Sequence, residues 1–217
     1  MAVIPARLVA WASFVTAFAT LNYVGRFAGE EPPSDILYRY GTAVFGLIQF
    51  LVMLGIVVAI ARPRMRDLLA LRRPSSWWLA ARISGGIFVG IMILGALLEP
   101  LLNPGEEQGL LPEGWEPSRA GAFAANFAVI AVLAPAVEEL TFRGLGFSLL
   151  RRFGRWIAIA LVAVAFGLAH GLVAGLPLLL AFGAGLAYLR SRTESVYPGI
   201  IVHGTFNSLV LTLSVTT

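Results

Sequence analysis

The sequence predicts an all-α protein, a polytopic transmembrane helical bundle of about seven membrane-spanning helices. Three observations point there. Hydrophobic residues make up 58% of the 217 and charged residues only 13%, and the mean hydropathy of +0.82 lies well above that of a soluble domain of this length. The apolar residues fall in runs close to the ~20 that a helix needs to cross a bilayer. Most of the charge sits between the runs, and mostly on one side of the chain's path.

The runs cover roughly 6 to 25, 40 to 61, 77 to 98, 120 to about 150 with an interruption, 156 to 174, 177 to 190 and 198 to 216. Arg7 and the Ala17-Phe18-Ala19 triplet give the first run some likeness to a cleaved signal peptide. With one positive side chain before it and apolar residues continuing to Val24, it reads instead as a retained span. Between the second and third runs, RPRMRDLLALRRPSSWW (62 to 78) joins five arginines to Leu68, Leu69 and Leu71, which reads as an interfacial stretch against anionic headgroups. The loop 103 to 119 holds three prolines and three glycines and is expected to lack regular structure. No internal repeat, low-complexity tract or soluble domain shows, so 1 to 217 is expected to form a single membrane-embedded domain.

With the N-terminus in the cytoplasm, that side collects thirteen of the sixteen basic residues, and the other side keeps Arg26, Arg39 and Arg119. The outer side receives eight of the twelve acids, Glu30, Glu31, Asp35, Glu99, Glu106, Glu107, Glu113 and Glu116. The expected topology is therefore N-terminus in, C-terminus out. All sixteen basic residues are arginine, which with abundant Ala and Gly hints at a GC-rich genome; the expected location is the plasma membrane of a prokaryote. The net charge of +4 follows from topogenic loops, and nucleic acid is not an expected partner. Without cysteine there is no disulfide, no thiolate metal site and no cysteine nucleophile.

Against this background PAVEELTFRG (135 to 144) raises a question, because it ends an apolar run with two carboxylates and an arginine. His170 in AFGLAHG and His203 with Asn207 in IVHGTFN break the pattern in the same way, and they include both histidines of the chain. Ionisable groups within a membrane face a bundle interior or a wet cavity and mark functional sites. Glu139 and Arg143, four apart with the acid first, suit an ion pair along a helix. That leaves Glu138, turned about 100° away, free to face something else. Phe166 and His170 are also four apart, so the ring can brace the imidazole, and His203 and Asn207 project together.

Depth agrees for two of these groups. Glu138 lies thirteen residues before Arg151 and His170 fifteen after Arg155, about 20 and 22 Å along an α-helix, so an antiparallel hairpin brings them level. His203 follows Pro198 by only five residues and meets them only if the turn at 191 to 197 lies deep.

These residues carry a resemblance. EELTFR (138 to 143), FGLAH (166 to 170) and HGTFN (203 to 207) are similar, in order and spacing, to the EExxxR, FxxxH and HxxxN motifs of the CAAX protease and bacteriocin-processing family, also called the Abi family of intramembrane proteases. The resemblance covers 120 to 217, as a catalytic core, and leaves 1 to 119 as N-terminal helices without a counterpart. It implies hydrolysis of a peptide bond of a membrane-associated protein or peptide in a polar cavity open to the cytoplasm. Carried over, Glu138 and His170 activate a water, His203 and Asn207 stabilise the oxyanion, and Glu139 with Arg143 supports them. A carboxylate in a water-poor site is a stronger base than an exposed one, and preorganised donors act strongly there. No cofactor is favoured. Zinc held by Glu138, His170 and His203 is the alternative, although the chain has no HExxH. A proton-coupled transporter and a non-enzymatic immunity or scaffold protein are the rival functions.

Overall fold

The computed structural model describes residues 5–29, 33–102, 107 and 114–216. Most of the loop 103 to 119, with Glu106 and Glu113, and the acids Glu30 and Glu31 lie outside the described residues.

Among the described residues, eight helices of four residues or more account for the architecture: α1 (Ala6–Ala28), α2 (Tyr40–Ala61), the single turn α3 (Met65–Leu68), α4 (Trp77–Leu102), α5 (Pro117–Phe153), α6 (Arg155–Ala169), α7 (Leu176–Thr193) and α8 (Tyr197–Leu213). Without the short α3 these are the seven segments the sequence predicts, and α1, α2, α4 and α5 are long and apolar enough to cross a membrane. The remaining three have 15, 18 and 17 residues. The shortness of α6 and α7 fits their position, because they pack against each other more extensively than any other pair. Gly183 makes this possible, since a Cβ there would meet the Cα of Ala163 at 3.1 Å.

The interruption expected in the fourth run proves to be two π-helical stretches in α5, Ala128–Leu133 and Leu140–Gly146, on either side of Ala134–Glu139. Pro135 gives the first a cause. It has no N–H to offer Ile130 O five residues earlier, which is the partner a π turn would supply. Asn207 Nδ2 donates to that carbonyl instead, at 2.9 Å, and so joins α8 to α5. Gly204 lies against the neighbouring Ala131 O, where a Cβ would come within 2.9 Å.

The arginine-rich segment differs from its sequence reading. Leu69 and Ala70 are buried in the protein, and the strand of chain around them hydrogen-bonds to the α7–α8 turn through Ser75 N to Thr193 O (3.0 Å), Val196 N to Ala70 O (3.3 Å) and Ser195 Oγ to Arg72 O. Its leucines therefore cover a turn rather than lie on lipid alone. Thr193 and Ser195 are fully buried beneath it, so the segment covers the turn that leads into the helix of His203.

The ends of the bundle separate by charge. Arg7 Nη2 reaches Arg62 O at 2.8 Å and Arg151 faces Glu194 at 3.8 Å at one end. At the other, Asp35 bridges Arg39 (2.6 Å) and Arg119 (2.7 Å), and Arg119 also holds Glu116.

Candidate active site

The two adjacent carboxylates of α5 point to different places, as their spacing predicts. Glu139 is fully buried, and its Oε1 accepts from Arg143 Nη1 at 2.7 Å. Arg143 also donates Nη2 to Gly183 O (3.2 Å) and lies 4.1 Å from the centre of the Phe166 ring, so α5, α6 and α7 meet on one guanidinium. Glu138 keeps 15% of its side chain exposed, and this part faces a cavity of about 460 Å³.

Both histidines come to Glu138. Its Oε2 lies 3.9 Å from His170 Nε2 and 3.7 Å from His203 Nε2. Each separation exceeds a hydrogen bond and leaves lone pairs for a small molecule between them. The ring orientations are fixed from behind. His170 Nδ1 is 2.7 Å from Phe166 O, a pure acceptor, so it carries the hydrogen and Nε2 is the ring nitrogen turned toward Glu138. His203 Nδ1 is 3.2 Å from Glu139 Oε1. Glu139 thus serves His203 as well as Arg143, a second role that helical spacing within α5 could not disclose.

Phe166 occupies the centre of the cluster, touching His170 edge-on at 4.6 Å between ring centres and His203 at 5.7 Å. Phe182 flanks His203 at 5.2 Å. Gly199, one turn before His203, lies so close to Glu139 Oε2 that any side chain there would collide with it. All seven residues singled out by their spacing, Glu138, Glu139, Arg143, Phe166, His170, His203 and Asn207, therefore meet in one place, and Asn207 lines the cavity.

Three other residues bear on the site. Glu99 of α4, counted above only as an outer acid, stands at the cavity rim. Glu107 accepts from Val173 N and Gly175 N, both at 2.7 Å, and pairs with Arg26 at 3.1 Å, fixing the turn that follows His170. Asn22 of α1 donates to Ala169 O at 2.6 Å on the other side of that histidine. A lone amide in an apolar run, as in TLNYV, was the available signal for Asn22. A larger groove of about 810 Å³ between α1 and α6 holds no carboxylate or imidazole and lies apart from this chemistry.

Zinc was the alternative use of Glu138, His170 and His203. Among the described residues no group of three His, Asp or Glu side chains is arranged to hold a metal ion.

Residues 120–209 match the family model described as type II CAAX prenyl endopeptidase Rce1-like. No curated protein and no solved structure matches the chain. The matched segment runs from the start of α5 past Asn207 and holds every residue of the cluster. Through it, residues 120–209 of the chain are similar to the CAAX protease and bacteriocin-processing (CPBP/Abi) family.

Proposed function

We propose that this protein is an intramembrane endopeptidase in which Glu138 activates a water to hydrolyse a peptide bond of a membrane-associated protein or peptide. One observation carries this reading: Glu138 Oε2 faces two imidazole Nε2 atoms at 3.7 and 3.9 Å inside a mainly apolar cavity. A water held there loses a proton to Glu138 as its oxygen bonds to the scissile carbonyl carbon. His170 Nε2, free to accept a proton, relays it to the amine nitrogen as the C–N bond breaks, leaving a carboxylic acid and an amine.

A hydrogen on His203 Nε2, the ring atom that faces Glu138 Oε2 at 3.7 Å, aims at the developing oxyanion. Asn207 has two amide hydrogens, and only one is needed by Ile130 O. The second completes the pair of donors. Phe50, Phe182 and Phe206 line the cavity and favour apolar side chains beside the bond to be cut.

The test compares membrane proteomes and released peptides from cells carrying the intact chain and Glu138→Ala. Fragments that vanish in the variant identify substrates; identical peptide profiles would end the protease reading. In purified protein, cleavage is expected to persist in strong chelators, and one zinc per chain that is lost in both His170→Ala and His203→Ala would replace the metal-free mechanism. The arginine-rich end is assigned to the cytoplasm. In this cysteine-free chain, Arg152→Cys should resist an impermeant thiol reagent in intact cells while Ser118→Cys reacts; the reverse pattern inverts the topology.

A further inference from the structure

Arg190 lies in the last turn of α7, only 6% exposed, and among the described residues neither its Nε nor its Nη1 meets a hydrogen-bond acceptor. Arg143 shows what a buried guanidinium in this protein otherwise has, namely a carboxylate at 2.7 Å and a carbonyl at 3.2 Å. Arg190 has the face of Phe147, 5.4 Å away, which attracts a cation but accepts no hydrogen bond from Nε. The helix C-terminus favours a positive charge, but only modestly.

The surroundings add to the deficit. The charged groups near enough to act on Arg190 are Arg72, Glu194 and Arg151. Two of the three are cations, and the one carboxylate is turned to Arg151. A buried charge without a partner is among the most unfavourable features a fold can hold, and the Glu194 carboxylate alone leaves this corner short of negative charge. It is also built from ordered chain. The hydrogen bonds from Ser75 to Thr193 and from Ser195 to Arg72 O tie the segment bearing Arg72 to the turn just beyond Arg190.

We propose that Arg190, together with Arg72 and Arg151, forms a binding site for a phosphate group, supplied by an anionic lipid headgroup or by a free phosphate. A guanidinium presents a planar fork of donors that matches phosphate oxygens, which a lysine would not. The site is separate from the carboxylate and histidine cluster, and it lies at the end of the bundle where the chain gathers its arginines, the place a headgroup reaches.

The experiment uses the full chain purified in a phosphate-free maltoside detergent. Inorganic phosphate is titrated in one arm and phosphatidylglycerol in mixed micelles in the other, and thermal unfolding is followed by tryptophan fluorescence. A saturable rise in melting temperature is expected in at least one arm. A response to lipid alone assigns the headgroup, and a response to both assigns any phosphate. Loss of a hydrogen bond to a charged group lowers affinity by about 10- to 100-fold. That is the drop expected for Arg190→Met and for Arg72→Gln, with Arg155→Gln, at the same end but not among the groups near Arg190, left unchanged. Should Arg190→Met fail to fold, the contrast between Arg72→Gln and Arg155→Gln decides. No response in either arm, or equal losses in those two variants, overturns the proposal.

Discussion

The two halves of the chain use their buried polar side chains differently. Before residue 103 these side chains grip main-chain carbonyls: Trp11 Nε1 on Thr141 O (3.0 Å), Asn22 Nδ2 on Ala169 O (2.6 Å) and Tyr23 OH on Leu172 O (3.2 Å). From residue 120 onward such grips continue, as with Asn207 on Ile130 O, but there side chain also meets side chain, with Glu139 on Arg143 and His203 and with Glu138 before both imidazoles. The first pattern holds backbone and the second holds charge. Yet each grip from α1 lands beside the cluster, since Thr141 lies between Glu139 and Arg143, and Ala169 precedes His170. The difference teaches that α1, outside the family-matched segment, holds main chain beside the site, whereas α4 meets the site at the cavity wall through Gly95 and Glu99.

The largest effect should come from within the charged half. Glu138→Gln is expected to abolish cleavage, at least 1,000-fold if a general base is lost with its charge, while accumulating normally in membranes. Glu139→Gln leaves Arg143 and His203 short of their carboxylate, a loss of about 3–5 kcal/mol for a buried pair, so its level should fall. Activity per folded molecule and membrane abundance separate the two. If both accumulate normally and only Glu139→Gln is inactive, the carboxylates have exchanged roles.

Asn207→Ala comes next. Loss of one oxyanion donor slows turnover by about 100- to 1,000-fold with residual cleavage, and the orphaned Ile130 O costs about 1–3 kcal/mol of stability. A variant that is destabilised but turns over normally when folded would leave Asn207 only its link to α5.

Asn22→Ala tests the grip from α1 itself. It frees Ala169 O next to His170, and displacing a reacting group by about 1 Å costs up to ~100-fold. A roughly tenfold fall in kcat with unchanged KM is expected. A lowered melting temperature with unchanged kcat would reduce α1 to packing.

The smallest effect belongs to the far end. Hydrogen bonds from Arg39 and then Arg119 hold the Asp35 carboxyl below its ordinary 3.8, and the Arg119 bond holds Glu116 below 4.5. A carboxyl with a depressed folded value stabilises above its unfolded value and loses that contribution as pH falls through the folded one. Melting temperature should therefore decline as pH drops below about 4, and less steeply in Asp35→Asn. These are exposed pairs, so the slope is shallow. Equal slopes in the two proteins would remove the cluster from the stability of that end.

Much of this was legible in the sequence because charge inside an apolar run is rare enough to mark itself. The i, i+4 rule found Glu139 with Arg143, and counting residues from the Arg151–Arg155 turn placed Glu138 level with His170. His203 could be placed only by assumption, since its depth depends on a buried turn that a distant segment covers. The bond between Glu139 and His203 joins residues 64 apart and leaves no local pattern. Asn22 and, apart from its pair with Arg26, Glu107 were hidden for another reason: their partners are backbone groups, which every residue offers and no letter records. The π-helical stretches followed from Pro135 and the neighbouring packing together, and only the first of these was visible.

Those stretches set a condition on length. Each residue of an α-helix turns its successor by about 100°, so the extra residue in a π turn decides which flank of α5 everything beyond it occupies. Deleting one residue between 128 and 133 would close that turn into an ordinary one and swing Glu138 and Glu139 together out of line with α6 and α8. No residue of the three motifs would have changed. Single insertions and deletions in α5 should therefore be worse tolerated than most substitutions, and a chain can keep EExxxR letter for letter while carrying both carboxylates on the wrong side of its own helix.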